Sequence, residues 1–325
     1  MKRPFLNFLT KRLAFSIFLL WGIATITFLL VHVAPGGPEA LYSGPRVSPE
    51  VLERIRHQFG LDRPLLAQYG HWLWRVLHLD FGFSYTSFRP VAEVLAGAIP
   101  NTLLLTGAAL AVELGLALLL GIYSAVRAGT RGDLFVNYFS IFLFSIPEFW
   151  LALLAIYLFS VKLGWLPAGQ MMSVGAAELN VFQRIGDVLR HLVLPAGILS
   201  LTSMAYSMRL VRSSLMESLS GEDAEYLHAM GIPKKKIERK YALRGALMPF
   251  LTHVGMSLPF LLGGSFIIEN VFSWPGMGRL TMAAILSRDY PVILAANLIS
   301  GALVVLGNLL ADLAYALVDP RVRLT

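Results

Sequence analysis

Residues 13–34 read LAFSIFLLWGIATITFLLVHVA, with Lys2, Arg3, Lys11 and Arg12 ahead of them. Basic residues followed by an apolar run resemble a secretory signal peptide. The run is about 20 residues, however, longer than the 7–15 of a signal peptide's apolar region and close to the length that crosses a bilayer as a helix. No small-x-small cleavage site precedes Pro35, so the segment is expected to be an uncleaved membrane span. That reading sets the expected fold class: an all-α, polytopic membrane protein.

The rest of the chain agrees. It is 56% hydrophobic and 14% charged, with a mean hydropathy of +0.65, too apolar for a water-facing domain surface. Further apolar runs fall at roughly 101–126, 134–160, 190–210, 246–268 and 292–317, so six spans are expected, both termini on one side. Putting the N-terminus inside leaves most bases inside, among them Arg127, Arg131, Arg209, Arg212, Lys234 to Lys236, Lys240, Arg321 and Arg323. The outer segments are near balance, which is the positive-inside pattern with cytoplasmic termini. The expected organisation is a first segment and span (1–34), an extracytoplasmic loop with short helices (35–98) and a core (99–325) holding a cytoplasmic loop (211–245).

The net charge of +7 invites a nucleic-acid reading, but the bases sit in loops between apolar runs, not on one folded face, so no nucleic acid is expected as a partner. There is no cysteine, hence no disulfide framework or thiolate metal site, and the histidines show no H-x-x-x-H metal spacing. No P-loop, H-E-x-x-H or G-x-S-x-G occurs. No catalytic set and no resident metal or cofactor is therefore expected, and the chain does not read as an enzyme.

In the outer loop SPEVLERIRHQFG (48–60) opens with Ser48 and Pro49, aligns Val51, Leu52, Ile55 and Phe59, and stops at Gly60. QYGHWLWRVLHL (68–79) reads as a second short helix with Trp72 and Trp74 as interfacial anchors. Together they form either a packed cap or a ligand site. Inside the spans, Glu113, Glu148, Asp312 and Asn308, four residues before Asp312, are either a polar pathway lining or proton relay, or interhelical glue. Glu148 follows Pro147, which is expected to kink the third span.

One charged stretch interrupts the apolar runs: EDAEYLHAMGIPKKKIERKYAL, 222–243. Ser220 and Asp223 have capping-box spacing, and Glu222, Asp223 and Glu225 place negative charge where a helix dipole favours it. Ala224, Leu227 and His228 or Met230 supply a narrow apolar stripe. Gly231 suits the left-handed turn that ends a helix, and Pro233 blocks continuation and opens a second helix. A helix of about ten residues is marginal alone in water, so it needs a surface: anionic lipid near Lys234 to Lys236, its own bundle or another protein.

GIPKKKIERKYALRGALMPFLTHVG (231–255) resembles the cytoplasmic-loop signature of ABC-importer permeases of the dipeptide, oligopeptide and nickel type. GLDRPLLAQYGHWL, DFGFS, PNTLLLT, GWLPAG, HLVLPA, ENVFSWPGMGRL, RDYP and NLLADLAYALVDPRVR extend the resemblance across nearly the whole chain in the right order. It implies a permease forming half of a pathway for peptides or similar small solutes beside a second, homologous permease chain. Two ATPase subunits, carrying the ATP and magnesium, would drive it, and an extracytoplasmic binding protein would deliver substrate. The resemblance makes Glu222, Glu225, Tyr226, Leu227, Met230, Gly231, Ile232 and Pro233 the ATPase-coupling residues, with Tyr226, Leu227 and Met230 departing from the family's usual small and basic residues. The alternative is a secondary transporter driven by an ion gradient through Glu113 or Asp312, which would usually carry an inverted repeat.

Overall fold

The structure, a computed structural model, describes residues 2–34, 50, 53–54, 57, 60, 62–263 and 265–318. For 2–9, 11, 177, 239, 244–246, 258–263 and 311–318 it describes the backbone alone. Regular structure among these residues is helical apart from one antiparallel bridge between Phe83 and Pro90. In chain order the helices are α1 (Lys2–Val33), α2 (Leu65–Leu77), α3 (Val91–Val126), α4 (Arg131–Ser145) and α5 (Glu148–Ala155). A π-helical stretch, Ile156–Lys162, continues α5. Then come α6 (Val181–Ser220), α7 (Glu222–Ala229) and α8 (Lys234–Lys236), which passes through a π-helical stretch, Ile237–Ala242, into α9 (Leu243–Gly263). The last are α10 (Phe266–Val271), α11 (Met277–Leu286) and α12 (Tyr290–Val318).

Among the described residues four helical stretches are long and apolar enough to cross a membrane: Arg12–Val33, Val91–Val126, Val181–Ser220 and Tyr290–Leu310. The bent pair Arg131–Ser145 and Glu148–Lys162 makes a fifth if it is one span. The chain is thus a polytopic all-α membrane protein. The expected fifth run, 246–268, falls on α9, α10 and the junction between them, where 258–264 lie wholly or by their side chains outside the described residues.

The expected kink at Pro147 is a break. The two helices meet at 101°, because a proline forces the residue before it out of the helical region. Ile146 is extended (φ −82°, ψ 132°) and so is Pro147 (φ −57°, ψ 129°). Glu148 therefore heads a new helix instead of lying within an old one. The expected helix over 48–60 lies mostly outside the described residues, whereas the expected helix over 68–79 corresponds to α2.

The chain divides into two compact units, the described parts of 1–101 with 276–306 and of 102–275 with 307–318. In the first, Val91, Leu95, Ala98, Met277, Ala284, Tyr290 and Val292 form a core. Asp289, almost fully buried, accepts hydrogen bonds from Ser84 Oγ (2.6 Å), Thr86 Oγ1 (2.8 Å) and the amides of Tyr85 (3.0 Å) and Thr86 (3.2 Å). A buried carboxylate needs such donors, and they join DFGFS to RDYP. Trp72 stacks on Phe28 and the Tyr69 hydroxyl lies 2.7 Å from Thr25 Oγ1, docking α2 on α1.

In the second unit Leu105, Ala109, Ala152, Ala155, Leu192, Ile198, Ile268, Phe272 and Trp274 pack together. Small residues at these helix contacts allow the close backbone approach that drives association in lipid. Two glycines, Gly121 of α3 and Gly169 of GWLPAG, work by proximity. A Cβ on Gly121 would lie 2.8 Å from the Met208 carbonyl, and one on Gly169 2.5 Å from that of Phe272. GWLPAG thereby seats against ENVFSW, with the Gln170 amide donating to the Phe272 carbonyl at 2.7 Å. Buried Glu269 accepts from Thr102 Oγ1 at 2.7 Å, joining ENVFSW to PNTLLLT.

Candidate functional site

The charged loop is built as a hinged helix between two long ones. α6 runs to Ser220, Gly221 turns extended (φ −76°, ψ 158°), and α7 follows at once. The expected capping box is absent. Ser220 is still the last residue of α6, and its hydroxyl donates back to the carbonyls of Met216 (2.9 Å) and Glu217 (3.3 Å), leaving Gly221 as the N-cap of α7 without a side-chain cap. The N-terminus of α7 relies instead on Glu222, Asp223 and Glu225 in its first turn, each worth roughly 0.3–1 kcal/mol against the helix dipole.

The C-terminus of α7 closes as the sequence predicts. Gly231 is left-handed (φ +78°), its amide donates to the His228 carbonyl (2.9 Å), and the Ile232 amide donates to that of Leu227 (3.2 Å). This is a Schellman pair satisfying carbonyls that would otherwise be orphaned. Nothing lies within 4 Å of where a Cβ on Gly231 would sit, so the need for glycine is one of backbone conformation alone. Pro233 (φ −59°) then caps α8, and the helix runs on through the π-helical stretch into the long α9, which takes in Pro249.

α7 buries little of itself. Ala224 is buried and Leu227 half-buried, facing Ile237, Tyr241 and Ala242 across a cleft of about 730 Å³. Glu222, Glu225, Pro233 and the large apolar Tyr226 (65% exposed) and Met230 (62%) face outward, with Ile232 half-buried. A short helix that leaves such side chains uncovered presents an unsatisfied docking face.

The loop stands on a polar network that the charge pattern alone did not reveal. The Arg212 guanidinium forks onto Asp133, Nε to Oδ1 and a terminal nitrogen to Oδ2, both at 3.0 Å. Asp133 also accepts from Ser124 Oγ, from Asn137 Nδ2 (2.6 Å) and from the Gly129 amide (2.9 Å). Thr130 caps α4 by accepting from the Asp133 amide. α3, α4 and α6 are thereby joined, and Ala125, Leu215 and Ala242 pack beyond them toward the loop. The available signal was Thr130-x-x-Asp133, a capping spacing at the head of an apolar run, with Arg212 among the apolar residues Leu210, Val211 and Leu215 of α6.

The polar span residues are scattered. Glu113 is buried in α3 and accepts from Ser207 Oγ of α6 at 2.6 Å, and Ser207 Oγ lies 2.9 Å from His253 Nε2 of α9. Glu148 is half-buried at the start of α5 and Asn308 is exposed on α12. The backbone of α12 includes Asp312, whose side chain lies outside those described.

Comparison with known proteins bears on the chain as a whole. The family model described as "Binding-protein-dependent transport system inner membrane component" matches residues 117–324, and the model for the N-terminal part of such components matches 5–106. The chain belongs to this family. The oligopeptide transport system permease protein AppB of Bacillus subtilis (strain 168) is 37% identical over 97% of this permease and 99% of its own length. A putative peptide transport system permease of Brucella abortus (strain 2308) is 37% identical over 96% and 98%. The glutathione transport system permease protein GsiC of Escherichia coli O1:K1 / APEC is 36% identical over 98% and 99%. This permease is accordingly a multi-pass component of the inner membrane and a transport protein, as its sequence led us to expect.

Proposed function

We propose that this permease forms half of the pathway of an ATP-driven importer for peptides or similar small solutes, taking its energy through α7. In this reading six spans place both termini in the cytoplasm, and a second, homologous permease chain completes the pathway. Two ATPase subunits hold the ATP and magnesium, and an extracytoplasmic binding protein delivers substrate. Glu222, Glu225, Tyr226, Leu227, Met230 and the turn Gly231, Ile232, Pro233 form the contact with the ATPase, while membrane lipid surrounds the bundle.

The observation that carries the proposal is the exposed face of α7. A helix of eight residues has little reason to hold together unless its uncovered side chains find a partner. Its placement directly between α6 and α9 allows movement at that partner to reach the bundle. The relatives' names, for oligopeptide, peptide and glutathione transport, support the solute class.

The test is purification in mild detergent from the native host, with identification of co-purifying chains, alongside peptide uptake before and after ATP depletion. A stoichiometric P-loop ATPase and uptake that stops on depletion are expected. Uptake that survives ATP depletion, with no such ATPase bound, would overturn the proposal in favour of an ion-gradient transporter using Glu113 or Asp312.

A further inference from the structure

We propose that Asp133 and Arg212 are positioning residues for energy transfer, their ion pair locking α3, α4 and α6 into a single lever whose tip carries α7. The inference rests on the coupling role proposed above and assigns that role a mechanical base. Arg212 lies eight residues before Ser220 in an unbroken helix, roughly 12 Å along the axis. Any rocking of α6 at Arg212 therefore becomes a displacement of α7.

The pair is built to prevent rocking. Two parallel hydrogen bonds at 3.0 Å fix the guanidinium in the plane of the carboxylate, a directional constraint that apolar packing does not impose. Donors from separate elements hold the carboxylate itself: Ser124 near the end of α3, the Gly129 amide in the turn and Asn137 on α4. One turn further back along α6, the Gly121 contact brings α3 onto the Met208 backbone. α6 is thus gripped by shape at Met208 and by charge at Arg212. A buried ion pair is often no more stabilising than apolar side chains of the same volume, so its geometric specificity is the property that suits a lever.

α7 and its Gly231 turn make no contact with the pair in this network, so a permease with a weakened lock should still bind its ATPase while transmitting less of its movement. The experiment uses the whole transporter in proteoliposomes with its binding protein, a radiolabelled peptide mixture as probe, and the variants Asp133→Asn and Arg212→Lys. Asn keeps the volume and leaves Arg212, which is 26% exposed, access to water. Lys keeps the charge and loses the fork.

Unchanged ATPase co-purification is expected, with peptide taken up per ATP falling at least about fivefold in Asp133→Asn and less in Arg212→Lys. The chain has no cysteine, so spin labels at Tyr138→Cys on α4 and Glu217→Cys on α6 report the lever directly. Their distance distribution should be narrow in the parent and broadened in Asp133→Asn, with or without nucleotide.

Uptake per ATP within about twofold of the parent in both variants would overturn the proposal. So would an unbroadened label distance, or loss of ATPase capture together with uptake. If Asp133→Asn does not accumulate in the membrane, Arg212→Lys decides by the same criteria. A parent that does not couple ATP to uptake refutes the proposed function, and the label distances still decide whether the lever exists.

Discussion

Among the described residues the same bidentate Arg–Asp fork occurs at two places, in settings that give it different weight. Arg75 holds Asp80 at 2.8 and 3.0 Å, and Arg212 holds Asp133 at 3.0 and 3.0 Å. The side chains of the first pair are 39% and 55% exposed, those of the second 26% and 2%. In water the first pair's charges are solvated either way and a surface pair is worth at most about 1 kcal/mol. Buried Asp133 has no such alternative, so removing its partner strands a charge. Distances show that a pair is made, and burial decides what its loss costs.

The largest effect is expected for Arg212→Ala. With Ser124, Asn137 and the Gly129 amide still donating to Asp133, the loss should be about 3 kcal/mol, the low end for breaking a buried pair. Thermal unfolding in detergent would measure it, and replacing both residues by Leu should recover much of it. A loss below about 1 kcal/mol would mean that the two forks are equivalent after all.

Asp289→Asn comes next. Asp289 is buried like Asp133 but is held by neutral donors from residues 84–86, so the variant tests burial without an opposite charge. An amide at this position turns a donor toward the Ser84 and Thr86 groups. About 2 kcal/mol should be lost, together with faster proteolysis around residues 80–90. Resistance equal to the parent's would contradict the role of Asp289 as the anchor of that segment.

Gly231→Val has a smaller effect on stability, about 1–2 kcal/mol for a left-handed residue with a Cβ, since no neighbour is there to clash. Its consequence for ATPase capture should be larger, because the Schellman turn sets where α7 ends. Capture and uptake both at the parent's level would remove α7 from its proposed place.

Asp80→Asn should cost the least, under about 1 kcal/mol, and less still at high salt. The Arg75 guanidinium and then the Gly82 amide hold the Asp80 carboxyl below the ordinary range. Its contribution is therefore fully present above the unfolded carboxylate's pKa, about 3.9, and fades as pH falls through the lower folded value. Parent and variant should differ equally at pH 6 and 8 and converge in acid. A difference that grew as pH fell would reverse that sign.

Local signals were read well where the chemistry involved is local. Gly231 and Pro233 end one helix and begin the next because conformational preference and a missing amide act within a few residues. The same kind of signal failed at Ser220-x-x-Asp223 and worked, unnoticed, at Thr130-x-x-Asp133. Both have capping spacing, but α6 extends far enough to take in Ser220 as its own last residue, so its hydroxyl bonds backward. How far a helix extends depends on packing along its length, which spacing does not report. Pro147 was likewise recognised as a disruption, but the kink expected there is a break of 101°.

By itself, then, the sequence determined that this is an all-helical membrane protein, where its principal apolar runs lie, that α7 is short and stopped by Gly231, and, through its motifs, to which family it belongs. These follow from run length, residue type and order along the chain. Only the tertiary structure decided that Asp133 meets Arg212, that Asp289 anchors residues 84–86, that Glu113 shares Ser207 with His253, and that α4 and α5 meet at 101°. Those polar partners are 46 to 205 residues apart in sequence. A buried polar group must find its complement wherever folding brings one within reach, and nothing in the local pattern says which one that is.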